Sequence, residues 1–155
     1  MALRTIVLDG DPILRKVCRP VEKFDDRLAQ LLDDMAETMH GAEGAGLAAP
    51  QVGIMRRAVV VDVGDDDGVI ELINPEIIAA EGEQEGHEGC LSFPGQWGVV
   101  VRPMNVTVRA QNRNGEWFEI SAEALTARAF CPEIDHLNGV CFVDTAKQML
   151  EPNEE

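Results

Sequence analysis

The pattern of apolar residues changes its period twice along this chain, and that order limits the folds open to it. Apolar side chains first recur at the three- and four-residue spacing of an amphipathic helix, at Leu28, Leu31, Leu32, Met35 and Met39. From position 58 to 120 the pattern is that of strands, and helical spacing returns over 122–138. This order predicts an α+β fold in which antiparallel strands pack around a C-terminal helix, with an amphipathic helix nearer the N-terminus.

Turn residues divide the central region into strands. Residues 58–63 are apolar throughout, 65–68 form a turn, and 69–73 are expected to pair back before Asn74-Pro75. Segments 99–101 and 106–110 give further strands. Asn114-Gly115 is a strong signal for a two-residue hairpin turn, and 117–120 is expected to form the returning strand. The first helix is expected to begin after Asp25, a capping residue, and to end at Gly41.

Length and charge set the broad class of the protein. The 155 residues fit one domain, 1–155, which can bury roughly 70% of the surface of its unfolded form. The 28 acidic and 13 basic residues give a formal net charge of -15, which disfavours direct binding to nucleic acid or to an anionic membrane. No apolar run reaches the roughly 20 residues of a membrane helix, and charges follow the first eight residues too soon for a signal peptide. We therefore expect a cytoplasmic protein.

Three segments carry residue types that suit chemistry. The first, 44–53, is rich in small residues that let a ligand approach the backbone, and its Gln51 can donate an amide N–H to an oxyanion. The second, 88–95, holds Cys90 in a loop shaped by glycine and proline, which suits a thiolate ligand or a nucleophile. The third, 131–136, reads Cys-Pro-Glu-Ile-Asp-His, a His-Glu-x-x-His metallohydrolase motif with proline in place of its first histidine. The other cysteines are spaced too irregularly for a disulfide framework or a zinc knuckle, and we expect buried thiols.

In this order the three segments resemble those of the peptide deformylases, bacterial metallohydrolases that remove the formyl group from the N-terminal formylmethionine of nascent polypeptides. The likeness extends over nearly the whole chain, including 11–15, 34–39 and 128–144. It implies a hydrolase of N-terminal processing in protein biosynthesis, with formylated peptide N-termini as its partners. It also implies a divalent metal, which is Fe2+ in the family with Zn2+ or Ni2+ as alternatives.

The resemblance assigns roles to individual residues. Cys90 and His136 would be metal ligands, and Glu133 the general acid/base. Gln51 and the backbone N–H of Leu91 would stabilise the developing oxyanion. The peptide groove would be lined by Gly44, Ala45, Gly46, Leu125 and Ala129, and Arg102 would form a supporting ion pair with Asp135.

The third ligand of the family falls on Pro132, which has no donor atom on its side chain. Two substitutes are open: Cys131, where the family has Gln, and His87. The proline either kinks the helix at Phe130 or restarts it at Pro132 with Cys131 as the cap, and the second arrangement would favour a Cys131 ligand. On a continuous helix, by contrast, side chains at 131 and 136 lie about 140° apart.

Three functional readings follow. The preferred hypothesis is a deformylase, or a relative acting on another formamide, whose activity is weakened or altered by the loss of one metal ligand. The alternatives are a catalytically silent relative that binds peptide N-termini or a partner, and a metal-free cysteine hydrolase on the same scaffold. The acidic residues from Glu151 to Glu155 disfavour the ribosome contact that a longer basic tail provides in the family.

Overall fold

The computed structural model describes residues 3–150, and their elements follow the order helix, strands, helix. The helices are α1 (Asp26–Gly41), α2 (Ala124–Leu137) and the single turn α3 (Phe142–Thr145). Short 3-10 helices occupy Pro12–Arg15 and Ala49–Val52. The strands are β1 (Gly46–Ala48), β2 (Ala58–Val61), β3 (Ile70–Glu81), β4 (Gln84–Cys90), β5 (Phe93–Arg102), β6 (Asn105–Gln111), β7 (Trp117–Glu123) and β8 (Gln148–Met149).

The strands form two antiparallel sheets. The larger has the order β1-β2-β3-β6-β7, and the smaller has the order β4-β5-β8. Each sheet has two edge strands, which have a partner strand on one side only. Strands β1 and β4 are edge strands of the larger and the smaller sheet. An edge strand keeps a row of N–H and C=O groups that can pair with another chain. This α+β architecture confirms the predicted fold class.

Helix α1 is amphipathic, as its sequence predicts. The Asp25 side chain accepts a hydrogen bond from the Leu28 N–H at 3.1 Å, which caps the first turn. The apolar face packs against β1 and β2, and Leu32, Met35 and Met39 are fully buried. The helix thus contributes to the core, and none of its side chains is among the predicted ligands or catalytic residues.

Helix α2 runs without a break from Ala124 to Leu137, with Pro132 inside it. The proposed restart at Pro132 is therefore wrong. The predicted start at 122 is also two residues early, because Ala122 and Glu123 belong to β7. Since proline has no N–H, the helix lacks the hydrogen bond from position 132 to the carbonyl of Arg128. Contacts with both sheets hold α2 in place, as expected for a helix on or between sheets.

Two local predictions differ from the structure. Strand β3 does not end at Asn74-Pro75 but passes through an irregularity there, with Asn74 at φ 51. The Asn74 amide is bonded to Val21 and Gln111, and these bonds stabilise the strained residue. The hairpin at Asn114-Gly115 is present, but its loop is longer than two residues, because strand pairing stops at Gln111 and Trp117.

None of the helices within residues 3–150 is long and apolar enough to cross a membrane. The acidic tail on which the prediction about ribosome contact rests, from Glu151 to Glu155, lies outside the described residues.

Candidate active site

A groove with a volume of about 590 Å³ lies between the two sheets where their edge strands approach each other. The loop before β1 forms one wall, β4 and the start of β5 form another, and one face of α2 closes the third side. That face carries Leu125, Arg128, Ala129, Pro132 and Glu133, whose positions follow the three- and four-residue spacing of one helix face. An extended peptide in this groove would meet free backbone groups of edge strands on both sides.

Two of the three glycines of the first motif make close contacts with other segments. A Cβ at Gly44 would lie 2.7 Å from Cδ1 of Leu91, and a Cβ at Gly46 would lie 2.7 Å from Oε2 of Glu133. Residues 44–46 therefore pack directly on Leu91, which follows Cys90 at the end of β4, and on α2. The three motif segments meet in one place, as their predicted roles require.

Cys90 lines the groove, and the buried His136 is in contact with it. Sγ of Cys90 is 3.2 Å from Nε2 of His136, although the residues are 46 positions apart in the sequence. The Gln51 amide donates to the same sulfur at 3.3 Å and to Oγ of Ser92 at 3.1 Å. Its carbonyl oxygen accepts from the N–H of Ala48 at 2.9 Å, so the side chain is fixed at both ends. This geometry brings the two proposed ligands and one proposed oxyanion donor into direct contact.

Burial disfavours the charged forms of both Cys90 and His136. Burial raises the pKa of the Cys90 thiol to about 12, and the nearby Glu133 carboxyl raises it further. Burial also lowers the pKa of His136 to about 4, with the Arg102 charge acting in the same direction. A thiolate is therefore not favoured at neutral pH without a bound cation.

Glu133 lies on the groove side of α2, beside Gly46. Burial raises the pKa of its carboxyl to about 8, and the Glu88 charge adds to the effect. Its Oε1 atom is buried and has no hydrogen-bond partner within residues 3–150. A carboxyl with a pKa near neutrality can hold or release a proton at working pH, which suits the general acid/base role.

A buried ion cluster supports the site from behind. Arg102 donates to Asp135 at 2.8 Å, which confirms the contact that the resemblance implied. Its Nε and Nη2 atoms also donate to the two carboxylate oxygens of Glu88, at 2.9 and 2.6 Å. Glu88 is 7% exposed and was not predicted, since nothing in its local sequence separates it from the surface acids of the same strand. The cluster links β4, β5 and α2, and so fixes Cys90 relative to His136.

The predicted groove residues differ in exposure. Leu125 is 60% exposed at the mouth of the groove, and Ala129 is half-buried one turn further along α2. Both line the groove together with Gly44, Ala45 and Gly46. Trp97 was not predicted; it also lines the groove, and its ring packs over Gly89.

Neither proposed substitute completes the set of metal ligands. Cys131 is buried in the core with Phe130 and Leu137, on the side of α2 that faces the larger sheet. His87 is exposed on β4. Within residues 3–150, no group of three or more His, Cys, Asp or Glu side chains could hold a metal ion. A catalytic zinc-type site takes three protein ligands and leaves one position open, so the residues present do not fit such a site.

The unpartnered nitrogen of His136 supports the same conclusion. Its Nδ1 atom is buried and has no hydrogen-bond partner among the described residues. A ligating histidine normally donates its second N–H to a carboxylate, a carbonyl or a water, which fixes the ring and raises its basicity. The site therefore offers two protein ligands, Cys90 and His136. Among the described residues, His136 lacks the second hydrogen bond that usually orients a ligating histidine.

Known proteins resemble this chain over nearly its whole length. The family model for polypeptide deformylase matches residues 3–151. The chain belongs to the peptide deformylase family. It is 56% identical over 154 residues to the peptide deformylase of Caldicellulosiruptor bescii, covering 99% of this chain and 92% of that one. It is 58% identical over 144 residues to that of Alkaliphilus metalliredigens, covering 93% and 97%.

Solved deformylase structures share the fold over most of their length. The crystal structure of the Thermotoga maritima peptide deformylase has a TM-score of 0.90 at 44% identity, covering 94% of this chain and 98% of that one. That of the Synechococcus elongatus enzyme in complex with actinonin has a TM-score of 0.89 at 42% identity, covering 96% and 81%. The deformylase family is a family of metalloenzymes. In this member, Pro132 occupies the first histidine position of the motif.

Proposed function

We propose that this chain acts in the cytoplasm on formylated peptide N-termini, as a peptide deformylase whose hydrolytic activity is limited by poor retention of its metal. The observation that carries the proposal is the contact of Cys90 with both His136 and Gln51, beside a peptide-sized groove that Cys90 and Glu133 line. All four are the residue types that the family resemblance assigns to these positions. A divalent metal held at this site would polarise the formyl carbonyl.

The groove residues would position the substrate. The edge strands β1 and β4 offer backbone partners to an extended peptide, while Leu125 and Ala129 offer apolar surface to a methionine side chain. The Gln51 amide already points to the Cys90 sulfur, and the N–H of Leu91 lies in the same loop. Two such donors would stabilise negative charge developing on the formyl oxygen. Glu133 would hold and deliver the proton at the departing nitrogen.

Pro132 sets the limit on this activity. Two protein ligands, Cys90 and His136, are present where a catalytic site of this kind takes three, and even changes to groups behind the ligands typically cost about 10- to 100-fold in metal affinity. The loss of a ligand should cost at least as much. We therefore expect weak metal retention rather than a damaged groove.

The test compares the native chain with Pro132→His and Pro132→Ala. Both variants restore the backbone N–H at position 132, but only the histidine adds a donor atom. The proposal predicts low metal content and slow hydrolysis of a formyl-Met peptide for the native chain and for P132A, and a marked rise in both for P132H. If P132H gains neither metal nor activity, the assignment of the Cys90–His136 pair is wrong.

The absence of a third ligand within residues 3–150 favours a second candidate, a relative that binds peptide N-termini without hydrolysing them. Binding of a formyl-Met peptide by the native chain, with no turnover even when metal is in excess, would identify this function. The metal-free cysteine hydrolase is disfavoured, because the raised pKa of Cys90, about 12, leaves little thiolate at neutral pH. Activity that resists chelators and disappears in Cys90→Ser would support it instead.

A further inference from the structure

The outer edge of β4 borders the groove, and the strand pairing shows which of its backbone groups face outward. His87 is paired with Val99 of β5, and the Val99 carbonyl accepts a hydrogen bond from the N–H of Lys147 at 2.8 Å, on the side of β8. In an antiparallel ladder the N–H and C=O of one residue point to the same side, so Val99 turns both groups away from His87. The N–H and C=O of His87 therefore point away from β5, and His87 lines the groove.

Arg128 of α2 already occupies this outward carbonyl. Its Nη2 atom donates to the His87 oxygen at 3.3 Å. The guanidinium lies flat against Gly86, because a Cβ there would be 3.1 Å from Cζ and 3.2 and 3.3 Å from Nη2 and Nη1. Nη2 is also 3.6 Å from Oε2 of the buried Glu88, and the Arg128 side chain is only 14% exposed. Arg128 thus closes the edge of β4 at His87 from a fixed position in the groove lining.

The opposite wall of the groove also uses part of its own backbone. The N–H of Gly44 donates to the carbonyl of Met39 at 2.9 Å. The N–H of Ala48 donates to the side-chain oxygen of Gln51, also at 2.9 Å. Gly46 lies between these two positions. The backbone that this wall offers to a peptide is therefore short and centred on Gly46.

We propose that Arg128 is a specificity-determining residue, which ends the peptide-pairing edge of β4 so that main-chain pairing of a bound peptide stops before its fourth residue. The proposal rests on the peptide-binding part of the proposed function, and it deepens that function by setting the length of peptide that is recognised. Strand β4 ends at Cys90 and a bound peptide would begin there, so the two chains run antiparallel. With the formyl oxygen at the N–H of Leu91, the second residue lies opposite Gly89 and the fourth lies opposite His87. The fourth residue would need the carbonyl that Arg128 holds.

The experiment measures the binding of formyl-Met-Ala-Ala-Ala by isothermal titration calorimetry, with EDTA present to prevent hydrolysis. Two further peptides carry an N-methyl group at the second or the fourth residue, which removes that N–H. For the native chain, methylation at the second residue should weaken binding by about 2- to 10-fold, the scale of one hydrogen bond. Methylation at the fourth residue should change it by less than about twofold. This comparison needs no variant of the protein.

Arg128→Met frees the His87 carbonyl and should bind the unmodified peptide about 2- to 10-fold more tightly than the native chain. Methylation at the fourth residue should remove that gain. The variant leaves Glu88 paired with the Nε and Nη2 atoms of Arg102. Arg56→Met, the same substitution at an exposed arginine outside the groove lining, is the matched control and should bind all three peptides as the native chain does.

The outcomes separate the two proposals. If methylation at the fourth residue weakens binding to the native chain as much as methylation at the second, or if R128M gains no affinity, the inference is refuted and the proposed function stands. If P132H gains neither metal nor activity while the methylation pattern is as predicted, the proposed hydrolysis fails and the limit set by Arg128 stands. If no formylated peptide binds to either protein, the groove is not a peptide site and both proposals fall.

Discussion

Replacing Glu133 by glutamine should stabilise the metal-free chain, and the gain should depend strongly on pH. In the folded chain, burial and the Glu88 charge raise the pKa of the Glu133 carboxyl to about 8, against an ordinary value of 4.5. Between these two pH values the folded chain keeps a proton that the unfolded chain has lost. The favourable contribution is therefore complete below pH 4.5 and is lost progressively as the pH rises to about 8.

The size of the effect follows from the same two pKa values. A pH of 7 lies about 2.5 units above the pKa of the unfolded carboxyl, which is therefore ionised. At 1.36 kcal/mol per unit, keeping the carboxyl protonated in the folded chain costs about 3 kcal/mol. At pH 4 the cost is close to zero. Glutamine has nearly the same shape and carries no charge at either pH. Glu133→Gln should therefore raise the free energy of unfolding by about 3 kcal/mol at pH 7 and leave it nearly unchanged at pH 4.

Urea denaturation with EDTA present, at a series of pH values from 4 to 8, measures this difference. Glu22→Gln, a substitution at an exposed glutamate, is the matched control and should change stability by less than about 0.5 kcal/mol throughout. A Glu133→Gln variant whose stability tracks that of the native chain at every pH would refute the argument. It would show that the carboxyl is solvated in the folded protein.

Three further substitutions test other parts of the structure. Arg102→Met leaves the Glu88 carboxylate buried without its bidentate partner and should lower the free energy of unfolding by about 3–5 kcal/mol in urea; a loss below about 1 kcal/mol would contradict the buried pair. Gly46→Ala, combined with P132H in a double variant, should displace the Glu133 carboxyl and lower kcat/KM on a formyl-Met peptide at least about 10-fold relative to P132H alone. An unchanged kcat/KM would show that the Glu133 side chain can move away from the new methyl group. Pro132→Ala restores the helix hydrogen bond and should raise stability by up to about 3 kcal/mol in urea; equal stability would mean that the helix has adapted fully to proline.

Local signals predicted the parts of the fold that local interactions stabilise. Helix α1 has a capping aspartate and a regular apolar face, so its start at Asp26 could be read from the sequence. The second sheet was largely missed. Its strand β4 has glycines and acids in place of apolar alternation, and it is a strand because it pairs with β5. Pairing with a distant segment leaves no periodic signal in the strand itself.

The site was predicted from residue types, but its arrangement depends on topology. Gln51 and Cys90 are 39 positions apart, and only the packing of the 3-10 helix that holds Gln51 against the end of β4 brings them into contact. Glu88 was missed because a buried acid and an exposed acid look the same in a sequence. Whether Cys131 could replace the missing ligand depended on whether α2 continues through Pro132. The helix does continue, and that places the thiol in the core.

The metal content of the native chain and its P132H and P132A variants tests the central claim most directly. Each protein would be purified without oxygen, loaded with Fe2+, passed through a desalting column and analysed for iron per chain. We predict that P132H retains about one metal per chain, because it completes a site with three protein ligands, while the native chain and P132A retain little. Full metal retention by the native chain would contradict the claim that two protein ligands limit this site.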